Sequence, residues 1–110
     1  MKEEELSIDE TTLSIDLSDA TEAVKESRFQ YALNLLDNIL KDHPDHIDSL
    51  YLAAVSTRYL KKFQDSQENI EKLLSIAPDM GRAYQELGHL NRDMGNEEQA
   101  VVHYRQACEL

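Results

Sequence analysis

The stretch DMGRAYQELGHLNRDMGNEEQAVVHYRQACEL, Asp79 to Leu110, follows Pro78 and reads as two amphipathic helices broken at Met94-Gly95-Asn96. Tyr84, Leu87 and Gly88 recur at helical spacing before the break, and Ala100, Tyr104 and Ala107 recur after it. Glycine marks the break because it loses more conformational freedom in a helix than any other residue. The segments upstream are weaker copies of this one.

Next upstream, Leu50, Ala53, Ala54 and Thr57 mark one packed face, Lys61-Lys62 a break, and Phe63, Ile70, Leu73, Leu74 and Ile76 a second face running to Pro78. Asp45 and Asp79 each follow a proline, and their carboxylates can accept a bond from a free first-turn amide. Further back, Phe29, Ala32, Leu33, Leu36, Ile39 and Leu40 form a stripe ended before Pro44, since the residue preceding proline is pushed out of helical conformation. Ahead of the break at Ser27-Arg28, Leu13, Leu17, Ala20 and Val24 begin a helix face, with Asp19 and Glu22 spaced as a capping box.

Pro44 and Pro78 lie 34 residues apart, as do Asp45 and Asp79. At that offset Leu50 meets Tyr84, Ala54 meets Gly88, Ser66 meets Ala100 and Ile70 meets Tyr104; one step earlier Ala20 falls on Ala54 and Leu36 on Ile70. A repeat of this length signals stacked helix pairs. The expected fold is therefore all-α, with pairs at about 17–43, 45–77 and 79–110 behind an acidic N-terminal tail, 1–16. That tail holds two copies of Leu-Ser-Ile-Asp, Leu6 to Asp9 and Leu13 to Asp16, whose alternation suits an extended peptide.

With 110 residues the chain suits one domain. Twenty-two acidic residues against eleven basic ones give a net charge of -11, which repels phosphate backbones and anionic lipid and argues against nucleic-acid or membrane partners. No apolar run approaches the roughly 20 residues of a membrane helix, and MKEEEL lacks the apolar segment of a secretory signal, so a cytoplasmic location is expected. Cys108 has no second cysteine to bond, and Val101 and Ala107 place it on an apolar helical face as a small core or interface residue.

Chemistry is sparsely represented. His43 and His46 flank Pro44-Asp45, but no cysteine completes a metal set, and no nucleophile motif, phosphate-cradling glycine loop or dinucleotide fingerprint occurs. A non-enzymatic chain without cofactor or metal is expected. Arg82, His89 and Arg92, at offsets of seven and three, share one helix face in an otherwise acidic chain. Together with Arg58 they could hold a carboxylate through bidentate bonds, or simply neutralise Asp48, Glu86 and Asp93 on a solvated face.

The set Tyr84, Leu87, Gly88, Ala100, Tyr104 and Ala107 at fixed spacing resembles the tetratricopeptide repeat, with Thr57 and Asn91 standing where that repeat has a bulky side chain. The resemblance covers about residues 13–110 and implies a right-handed superhelix of three helix pairs that binds an extended or acidic peptide in a concave groove. By register the groove-facing residues would be Leu17, Thr21 and Val24, then Asp48, Tyr51, Val55, Arg58 and Tyr59, then Arg82, Gln85, His89 and Arg92. Some members of that family clamp acidic chaperone tails; the matching positions here are Leu17, Thr21, Leu52, Arg82 and Glu86, of which only Arg82 fits, which argues against that partner. The acidic tail is itself a candidate for the groove. Leu110 comes two residues before a third proline would fall, leaving Val101, Tyr104 and Cys108 at an open end. From this the chain is expected to be the N-terminal module of a longer protein, such as a regulatory part of an enzyme like a sulfotransferase, or to self-associate there as a homo-oligomer.

Overall fold

A computed structural model describes residues 8–110 as six helices in sequence: α1 (Ile8–Lys25), α2 (Phe29–Asp42), α3 (Ile47–Tyr59), α4 (Phe63–Ile76), α5 (Gly81–Asp93) and α6 (Glu97–Glu109). No strand occurs among the described residues. Each helix packs on the next, and the first helices of successive pairs also touch, α1 on α3 and α3 on α5. The result is an α-α solenoid of three antiparallel pairs measuring 55 × 28 × 20 Å.

The turns inside the pairs show the 34-residue period in the backbone itself. Ser27, Lys61 and Gly95, each 34 residues from the next, have φ of 61°, 64° and 85°. Each turn closes in the same way: the following amide reaches back five residues, Arg28 to the Ala23 carbonyl, Lys62 to Thr57 and Asn96 to Asn91, at 2.7–2.8 Å. This left-handed C-terminal cap satisfies carbonyls that the helix leaves free. Gly95 adopts it without steric penalty, whereas Ser27 and Lys61 carry a Cβ that costs about 1 kcal/mol or more there.

Two apolar clusters form the core. Ala20, Ala23, Ala32, Leu33, Leu36, Ile39 and Ala53 make the first; Leu50, Ala54, Ile70, Leu73, Ala83, Leu87 and Leu90 make the second. Leu40 packs against both and makes the core continuous. Small residues set the helix crossings. A Cβ on Gly88 would clash with the Tyr104 ring, so glycine lets α6 come this close to α5. Thr57 and Asn91 bond back to the carbonyls of Ala53 and Leu87, at 2.7 and 2.9 Å, so these buried polar groups are satisfied within their own helices.

Several local expectations are corrected. Neither aspartate after a proline caps a helix. α3 starts at Ile47, and His46 is its cap, Nδ1 accepting from the Ser49 amide at 3.2 Å. Asp45, one residue too early, stands exposed with Lys72 at 3.9 Å. α5 likewise starts at Gly81 behind Met80, with no side-chain cap, so Asp79 lies outside it. Asp19 and Glu22 fall in the middle of α1 and cap nothing. Helix α1 also extends into the segment read as a tail: Leu13 to Asp16 are helical, because Leu13 and Leu17 pack against the first core cluster and that contact outweighs a four-residue alternation. The first Leu-Ser-Ile-Asp copy lies largely outside the described residues.

Candidate binding groove

The first helices α1, α3 and α5 lie side by side, and Leu17 and Thr21, Asp48, Tyr51 and Leu52, and Arg82 from these helices surround a hollow of about 210 Å³. Leu17, Tyr51 and Leu52 line it half-buried, while Asp48 and Arg82 are exposed. The Arg82 guanidinium carbon sits 4.2 Å from the centre of the Tyr51 ring, a cation–π contact that orients it. Among the described residues Arg82 meets no hydrogen-bond acceptor or carboxylate, and it stays exposed. Asp48 faces the same hollow without pairing to it. Thr21 donates its hydroxyl proton to the Leu17 carbonyl at 2.7 Å, which leaves its oxygen as an acceptor.

Arg58, expected in the same set, has a different fate. Its side chain is 6 % exposed and lies between the second and third pairs. Nε donates to the buried Glu86 carboxylate and Nη1 to Asp93 at 2.9 Å, and its guanidinium covers the Tyr59 ring, which stacks on Phe29 at 4.4 Å. Burial works against the arginine charge, but the bonds to Glu86 and Asp93 outweigh it and hold its pKa above the ordinary value. Burial also pushes the Glu86 carboxyl up, and Arg58 offsets this only in part. Asp93 is likewise pushed up by burial, yet its bonds from Arg58 and Arg92 hold it below the usual carboxylate range. Arg58 is therefore a buried connector and not an open groove cation.

The remaining candidates divide similarly. Arg92 is exposed and turned to Asp93 at 3.1 Å. His89 bonds to the Tyr104 hydroxyl through Nδ1 at 2.7 Å, and burial with the charges of Arg58 and Arg92 holds its pKa below the ordinary imidazole value. Its charged form is thus disfavoured, which weakens any share it would have in a basic face. Val55 is half-buried and Gln85 exposed. At the far end Val101 and Cys108 are exposed. Tyr104 instead packs inside its own pair against Gly88 and His89.

The signal for the buried ion pair lay in the helical stripes. Glu86 shares the face of Ala83, Leu87 and Leu90, and Arg58 that of Leu50 and Ala54; a charge in an apolar stripe calls for an opposite one across the contact. Among the described residues no three of His, Cys, Asp and Glu are grouped to hold a metal, and no helix is long and apolar enough to cross a membrane.

A profile described as tetratricopeptide repeat matches residues 81–110, the copy whose sequence pattern is fullest. No curated protein matches the chain significantly. Solved structures do: MamA of AMB-1, with a TM-score of 0.80 and 18 % identity over 88 % of this chain and 57 % of that one, and MamA of MSR-1, with 0.78 and 18 % over 88 % and 56 %. MamA residues 41 to the end from Desulfovibrio magneticus RS-1 matches with a TM-score of 0.79 and 19 % identity, over 86 % of this chain and 54 % of that one. The chain thus spans little more than half the length of these matches, and at such identity the likeness is one of fold. Residues 81–110 thus match a tetratricopeptide repeat, and the two earlier helix pairs are built to the same 34-residue plan, which gives the chain a fold like that of these solenoids.

Proposed function

We propose that this chain is a non-catalytic protein-interaction scaffold of the cytoplasm that takes an extended peptide in the groove of α1, α3 and α5. The observation that carries this reading is Arg82, an oriented guanidinium without a carboxylate partner among the described residues, beside Leu17 and Leu52. A peptide carboxylate can take its bidentate N–H pair, while Leu17 and Leu52 receive an aliphatic side chain. Asp48, which lines the same hollow, favours a ligand that also carries a donor, such as a backbone N–H, and disfavours a continuous acidic run. The fitting partner is a peptide with a single acidic residue beside an apolar one.

The test is selection from a random heptapeptide library displayed against the intact chain, followed by titration of the selected peptides at two salt concentrations. Selected sequences should pair Asp or Glu with Leu, Ile or Val and lose at least about tenfold in affinity on Arg82→Ala. Failure to select any sequence, or binding indifferent to Arg82→Ala and Tyr51→Ala, would refute the groove assignment.

A further inference from the structure

The three second helices share one register of positions at i, i+3, i+4 and i+7, exposed in every copy except at i+3, and α6 departs from the other two. In α4 the positions hold Gln64, Gln67, Glu68 and Glu71, closed on themselves by bonds from Gln64 to Glu68 at 3.0 Å and from Gln67 to Glu71 at 2.9 Å. In α2 Gln30 bonds to Asn34 in the same way, and Leu33 is covered by the following pair. In α6 the positions hold Glu98, Val101, Val102 and Arg105, all exposed. Val101 and Val102 are 48 % and 46 % accessible, and neither Glu98 nor Arg105 has a partner among the described residues. Val102 replaces a polar residue of the other copies, and Arg105 reverses the charge of Asp37 and Glu71. Packing within the repeat requires neither change.

We infer that α6 pairs with α6 of a second copy as a two-fold antiparallel homodimer centred between Val101 and Val102. The stripe is complementary to itself, acidic at its start, apolar in the middle and basic at its end. Turned antiparallel, Val101 meets the partner's Val102, and Glu98 meets the partner's Arg105, twice over by symmetry. Glu98 and Arg105 are two turns apart on one helix, too far to satisfy each other.

Head-to-tail stacking is disfavoured by the other end of the solenoid. On α1, Asp16, Asp19 and Glu22 occupy the register of Leu50, Ala53 and Ser56, which are buried in the second pair. Stacking α1 on α6 would press three carboxylates against the valines without a matching donor set. The two-fold contact uses a second helix and leaves the groove of first helices open, so dimer and groove stand or fall separately. One helix per copy is a small interface, of the weak and reversible class.

Sedimentation equilibrium from about 5 to 500 µM, a range suited to weak small interfaces, tests the pairing. The wild-type chain should pass from monomer to dimer. Glu98→Lys and Arg105→Glu should each raise the dissociation constant about tenfold or more by setting like charges together, and the double variant should restore it. Circular dichroism should remain unchanged, since both side chains are exposed. A wild-type chain monomeric throughout, a dimer indifferent to the single substitutions, or a double variant no better than the singles would overturn the inference.

Discussion

Arg58 and Arg82 share a residue type and a proposed groove, yet the structure uses them in opposite ways. Arg58 is drawn between the second and third pairs, its charge met by Glu86 and Asp93 and its flat face by Tyr59. Arg82 has an aromatic face beneath it and no carboxylate bonded to it among the described residues. A buried, paired arginine serves the geometry of the stack, and an exposed, oriented one stays open to solvent. The basic face of an acidic protein therefore cannot be counted from its arginines; each must be followed to its partner.

The largest effect should come from breaking the buried side of this contrast. Arg58→Ala leaves Glu86 buried without its counter-charge and should destabilise the fold by about 3–5 kcal/mol, measured by urea unfolding. Removing both charges, as Arg58→Met with Glu86→Leu, should cost far less, giving a favourable coupling in a double-mutant cycle. Next, Gly88→Ala places a methyl group against the Tyr104 ring and should cost about 1–3 kcal/mol, with the His89–Tyr104 bond weakened as α6 shifts.

A smaller effect follows from pH. The His89 pKa is lower folded than unfolded, so on acidification the unfolded chain takes up the proton first. Stability should fall as pH drops from neutrality through the ordinary imidazole range, and His89→Gln should flatten that slope in thermal melts at pH 7 and pH 5. The smallest sits in the turns: Lys61→Gly should stabilise by up to about 1 kcal/mol, because glycine meets no penalty at positive φ, while Gly95→Ala should destabilise by a similar amount.

Much of the architecture was legible because its determinants are periodic. Prolines 34 residues apart, small residues at the crossings and breaks at Ser27, Lys61 and Gly95 all report backbone requirements that recur in each pair. Helix starts were less legible, since a proline-aspartate signal competes with the exact residue where packing begins, and His46 prevails over Asp45. The start of α1 was hidden for a related reason: a four-residue alternation fits a strand as well as a single turn of helix, and only contact with α2 decides it.

The groove was half legible. Register placed Leu17, Thr21, Asp48, Tyr51 and Arg82 on first helices, and the structure brings these five together around one hollow. Register could not say which arginines are consumed, because Arg58 and Glu86 are 28 residues apart and meet only through the stacking of two pairs. Charge balance over the whole chain carries no information on such pairings.

The contrast itself can be read in one nitrogen-15 spectrum of the arginine Nε–H groups, assigned by substitution and recorded near neutral pH with solvent-exchange transfer. Arg58 Nε–H, buried and bonded to Glu86, should give a sharp signal that exchanges slowly, and Arg82 Nε–H should exchange rapidly and slow only when a carboxylate peptide is added. Equal exchange at the two sites, or a protected Arg82 in the free chain, would contradict the division between a structural and an open arginine.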